Sequence, residues 1–201
     1  MPKNNKNQAS AIEKIQKDYK LDILAPPESV EKHNIALVFY DLHMQYDKLN
    51  VTQDSLHRKL DARQFIITAY SLLEALIITV AYRIQKSCIS KNNRLPFCSA
   101  SLFQSSDSKQ NKVNAYPKAN SYLIKIGVIS FSTKESKDFY ESMRMKRNSV
   151  HILNNTSVIE KDSAYTLNYC DQVLKFLKAF CEMLTININH LCRSHDFDLT
   201  Y

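Results

Sequence analysis

FIITAYSLLEALIITVAY, residues 65–82, is apolar on every face of a helix, and its reading decides the fold. A helix of that kind is the centre of a bundle, a buried subunit contact or a membrane span. Its 18 residues come close to crossing a bilayer, yet Glu74 sits at the middle and Arg63 and Arg83 bracket it. No other segment supports a membrane topology, so the stretch reads as a buried central helix and no membrane partner is expected.

Working towards the N-terminus, Ile35, Leu37, Val38, Leu42, Tyr46 and Leu49 recur at helical spacing from Ser29 to about Leu49, and Thr52 is placed to cap the central helix. Residues 1–27 read as a polar lead holding one short helix near Ala11–Tyr19, closed by Pro26-Pro27. In the other direction, residues 86–118 lose all periodicity and read as an irregular basic insertion. Ala119–Ile126 is a short helix with Gly127 just past its end, where a left-handed conformation favours glycine. Ser132-Thr133-Lys134-Glu135 has capping-box spacing and opens a helix to about Val150. Val173, Leu174, Leu177, Phe180, Cys181, Leu184, Ile188 and Leu191 mark a long last helix. The expectation is an all-α, up-and-down bundle of five or six helices in one domain, residues 28–193, followed by a tail, 194–201.

Composition limits what such a bundle can do. The chain has 201 residues and a single glycine, which excludes glycine-rich phosphate loops and a dinucleotide fingerprint. Its net charge of +7 suits an anionic partner. Between Arg83 and Lys125 eight basic residues stand against one acid, Asp107, a surplus equal to that of the whole chain. Phe97, Phe103, Tyr116 and Tyr122 are interleaved there, as stacking on unpaired bases requires; a solvated insertion is the competing reading. Cys170, Cys181 and Cys192 are spaced by 11 and fall on one helix face, as core residues would. No histidine or cysteine spacing suggests a metal site, and no cofactor is expected. The polar start, without an apolar signal segment, reads as cytoplasmic.

The chemistry-bearing stretch is Glu141–His151. On a helix Arg144, Arg147, Asn148 and His151 follow i, i+3, i+4, i+7 and share one stripe, beside an apolar face of Phe139, Met143 and Val150. Guanidinium groups hold a phosphodiester and offset charge developing on it, while an imidazole exchanges protons near neutral pH. With the ribose 2′-hydroxyl as nucleophile, such a set can cleave RNA without a metal. Two copies facing each other would supply both a base and an acid.

Here the sequence resembles the HEPN superfamily of helical nucleic-acid-processing domains. That family carries Arg, four to six residues, then His, near the end of the helix before the last long one. Arg144, six residues and His151 fit the spacing; the Asn that often follows the family's Arg stands here in Arg147-Asn148, three residues before His151. SLLEALI with its central Glu74, the short helix ending IKIGVIS and the long last helix are also similar, over roughly Asp61 to Leu191 without the insertion. The resemblance implies a metal-independent endoribonuclease acting as a homodimer, in a toxin–antitoxin or anti-phage setting with an antitoxin or defence-system partner. It implies proton transfer by His151, phosphate stabilisation by Arg144 or Arg147, and orientation by Asn148. Glu74 is a further candidate, pairing with Arg147 or His151, or else protonated or matched by another base. The alternative is a HEPN-like module that binds RNA or protein without cleavage.

Overall fold

The computed structural model describes residues 3–90, 95, 115–150, 165–196 and 198–199. They form seven helices: α1 (Lys3–Asp18), α2 (Leu21–Leu24), α3 (Val30–Val51), α4 (Ser55–Ser90), α5 (Ala115–Lys125), α6 (Lys134–Val150) and α7 (Leu167–Ser194). No strand occurs among the described residues. The protein is all-α, with more helices than the sequence pattern suggested.

The 36 residues of α4 contain no glycine or proline, so one helix about 54 Å long runs uninterrupted. It packs against α2, α3, α5, α6 and α7, and is the axis of the fold. Phe65, Ile66, Leu73, Leu76 and Ile77 are completely buried on it, turned to different neighbours, which accounts for a segment apolar on all faces. By length and composition α4 is sufficient to cross a membrane; its apolar side chains are largely occupied by the surrounding helices.

Two boundaries of the irregular insertion move. α4 continues through Lys86–Ser90 and α5 begins at Ala115, so both edges of 86–118 are helical, and the remainder lies outside the described residues apart from Leu95, which is buried. Tyr116 and Tyr122 thus belong to a helix facing the core, Tyr122 buried and Tyr116 half-buried, and do not form a base-stacking surface. Phe97 and Phe103 lie outside the described residues.

The described part of the polar lead, residues 3–27, belongs to the bundle. α1 and α2 pack on α3, and Ile12, Ile15, Tyr19, Leu21 and Leu24 enter the common core. The Tyr19 ring stacks on Phe39 at 3.8 Å, and its hydroxyl lies 3.0 Å from Nε2 of His43 on α3. Burial pushes the Tyr19 phenol up to about 12, so it stays protonated and donates to a neutral imidazole. Burial also lowers His43 below its ordinary 6.5; Asp47 and Asp18 oppose that shift and Lys14 adds to it. The folded state therefore binds fewer protons here than the unfolded chain. Stability from this contact is complete above the unfolded value and is lost as pH falls through the depressed folded one. Wild type should lose more thermal stability between about pH 7 and pH 5 than His43→Gln, which keeps an acceptor that does not titrate. Parallel melting curves across that range would contradict this assignment.

Helix ends follow local chemistry, with shifts of one or two residues from the expected caps. Asp54, rather than Thr52, caps α4 by accepting the His57 N–H at 2.7 Å, and that bond, with the His57 ring, holds its carboxyl below the usual carboxylate value. Thr52 instead closes α3 through Lys48 O at 2.8 Å. Thr133, rather than Ser132, caps α6 by accepting Ser136 N–H at 3.2 Å, and Thr166 caps α7 through Tyr169 N–H at 3.1 Å. Gly127, at φ 76°, ends α5 as expected: its N–H reaches Ile124 O at 3.1 Å and Val128 N–H reaches Leu123 O at 2.9 Å. Asn187 Nδ2 donates to Val128 O at 3.0 Å, fixing this turn to α7. Cys170 and Cys181 are fully buried on α7 as core residues, and burial raises the Cys181 thiol.

Arg83 proves to be internal. Only 5% exposed, its Nη1 donates to the carbonyls of Asp22, Ile23 and Ala25 at 3.1, 2.6 and 2.8 Å, and its Nη2 to Leu199 O at 3.0 Å. One guanidinium thus gathers the end of α2 and the C-terminal segment onto α4. Residues 194–201 are accordingly not a free tail at Leu199, which packs on the core.

Candidate functional site around helix α6

α6 lies against α4, and α7 follows it in the chain. Met143 is completely buried and Phe139 half-buried, so the apolar face expected for this helix is in place at both positions. Tyr140, one turn before Arg144, is buried as well, so this part of the helix is anchored in the core. Arg144 is at the surface, its side chain 53% exposed, and its Nε donates to Glu141 Oε2 at 2.9 Å. Arg147 and Asn148 stand on the last turn of α6, with side chains outside the described residues, as is His151 entirely.

Tyr140 ties this helix to two others. The Tyr70 hydroxyl on α4 donates to that of Tyr116 on α5 at 3.3 Å, and the Tyr116 and Tyr140 hydroxyls are 2.8 Å apart. The Tyr140 hydroxyl in turn donates to Asn120 Oδ1 on α5 at 2.7 Å, so the Tyr116 hydroxyl donates to Tyr140. Three phenols from three helices thus form one directed chain ending on an amide. Burial raises Tyr116 and Tyr140 far above the ordinary phenol value, which keeps the protons of these two phenols in place.

Charged groups act on the two middle members, Tyr116 and Tyr140. Glu74, half-buried on α4, is near enough to Tyr116 to disfavour its phenolate. Glu141 acts likewise on Tyr140, and Arg144 acts oppositely. The expected contact of Glu74 with Arg147 or His151 falls outside the described residues on the α6 side.

Tyr70, Tyr140 and Asn120 are the part of this site that sequence reasoning missed, while Tyr116 was expected among base-stacking aromatics. The available signal was Tyr140 on the arginine stripe, exactly one i−4 step from Arg144. Among the described residues no group of His, Cys, Asp and Glu is arranged to hold a metal ion. Compared with models of known protein families, with curated proteins and with solved structures, the chain finds no match in any of the three. Fold and site together define an all-α protein with a three-helix phenol chain behind an arginine-bearing surface helix.

Proposed function

We propose that the protein is a HEPN-like, metal-independent endoribonuclease that acts as a cytoplasmic homodimer in a toxin–antitoxin or anti-phage system. The observation that carries this reading is α6 itself: a helix anchored inside the protein at Tyr140 that brings Arg144 to the surface before the long last helix. On this reading Arg144 or Arg147 holds the scissile phosphate, His151 moves the proton to or from the 2′-hydroxyl or leaving oxygen, and Asn148 orients the set. The 2′-oxygen attacks phosphorus, the bond to the 5′-oxygen breaks, and the products are a 2′,3′-cyclic phosphate and a 5′-hydroxyl. Glu74, beside the phenol chain, supports the site from α4.

One observation favours a second reading, a module that binds RNA or a protein without cleaving. Glu141 already engages the Arg144 guanidinium at 2.9 Å, which reduces its attraction for a phosphate. The deciding experiment is incubation of the purified chain with structured and single-stranded RNA in EDTA, followed by mapping of product ends. Cyclic-phosphate ends are expected. Retention of RNA without any new ends, across a broad transcript pool, would replace the enzyme reading with the binding one.

A further inference from the structure

Beyond the phenol chain, a pocket of about 140 Å³ opens between the start of α6 and the middle of α7. Phe131, Phe176, Phe180 and Met183 form its apolar lining. The rings gather around Phe180. Tyr140 stacks on Phe180 at 5.9 Å with planes 11° apart; Phe176 lies 5.7 Å from Phe180 at 28°, and Phe131 6.4 Å from it at 30°. Phe180 is buried at the floor, while Phe131 and Phe176 are partly exposed. The pocket is therefore walled by aromatic rings, against which a flat ring packs better than an aliphatic group does.

The rim has a different chemistry. Ser130, Ser132 and Ser136 line it too, the Ser136 hydroxyl accepting from that of Thr133 at 3.1 Å, and no ionisable side chain is among the described residues that line it. Lys134 and Lys137 are exposed on the first turns of α6, alongside the exposed Glu135 and Asp138. An uncharged ring with polar edges, attached to an anion, satisfies all three zones together.

We infer that this pocket receives one unpaired nucleobase of an RNA strand, with its phosphate towards Lys134 and Lys137. The inference rests on the proposed RNA reading and names the part of the substrate which that reading left open. Arg144 stands eight positions after Ser136, about 12 Å along the helix. A strand seated by one base therefore continues along α6 towards the arginine stripe. The arrangement requires single-stranded RNA, since a base within a duplex has no free faces.

The test uses the full chain with methyl-labelled methionine and NMR titration of adenosine 5′-monophosphate, cytidine 5′-monophosphate and ribose 5-phosphate. Both nucleotides should shift the Met183 methyl while Met44 and Met145 stay still; ribose 5-phosphate should leave Met183 unmoved. Ala179→Trp, a change at an exposed position on the pocket wall, should fill the space and weaken nucleotide binding by about tenfold or more. Equal shifts from ribose 5-phosphate, no Met183 shift with either nucleotide, or unchanged affinity in a folded Ala179→Trp would each overturn the pocket. These outcomes are separable from the enzyme reading. Nucleotide binding without cleavage removes the enzyme alone, whereas cleavage by Ala179→Trp at wild-type rate, without Met183 shifts, removes the pocket alone.

Discussion

Arg83→Met should lower the unfolding free energy by about 3 kcal/mol, with the denaturant slope unchanged. Methionine nearly preserves the volume, so the loss measures the guanidinium and not a cavity. In the native protein the group is nearly water-free, and burial lowers its pKa, with Cys192 and Asp22 opposing that shift. What holds the charge there is the set of carbonyls at the end of α2, joined by Leu199 O from the C-terminal segment. Removing it leaves several oriented carbonyl dipoles without their donor, Ala25 O being the one in a fully buried contact. Arg83→Lys should recover only part of the loss, because one ammonium cannot serve carbonyls on two sides as a planar fork does. Hydrogen exchange should locate the damage, with α2 and Leu199 losing protection in Arg83→Met before α4 does. A change under about 0.5 kcal/mol, the size of an ordinary surface substitution, would show that the clasp contributes little.

The clasp also marks the limit of what the sequence displays. Residues 65–82 are legible because every face is apolar, and within one folded chain a central place in the bundle hides such a surface. Gly127 is legible because a left-handed residue past a helix end has few substitutes. α1 is not: among the side chains described in KNNKNQASAIEKIQKD only Ile12 and Ile15 are buried, a stripe too narrow to distinguish docking from a solvated lead. Arg83 shares its pattern with any charged residue ending an apolar run, since its partners are backbone carbonyls that no side-chain spacing encodes. The caps at Asp54 and Thr133 shifted because Thr52 and Ser132, close by, have equally suitable oxygens. Of the candidate site, the stripe containing Arg144 follows from helical periodicity. The phenol chain behind it joins residues 46 and 24 positions apart, and such pairings exist only once α4, α5 and α6 have packed.

On the proposed catalytic reading, His151→Ala should reduce RNA cleavage by about 10³-fold, within the range for losing a general acid or base. Arg144→Ala and Arg147→Ala should then differ sharply. The arginine that stabilises the phosphate should cost about 10²–10³-fold, as for loss of one oriented donor to a developing charge, and the other less than tenfold. Structure constrains the interpretation for Arg144: with its side chain 53% exposed and its contact to Glu141 on the surface, its removal should leave stability nearly unchanged. A rate loss there is therefore chemical. Glu141→Gln supplies the complementary measurement. If Arg144 holds the phosphate, releasing it from the carboxylate should lower KM and steepen the salt dependence of RNA binding. If Arg147 holds it, Glu141→Gln should change neither by more than a few-fold. Mild and equal losses from both arginines, with His151→Ala still active, would remove the composite site and leave α6 as a binding surface.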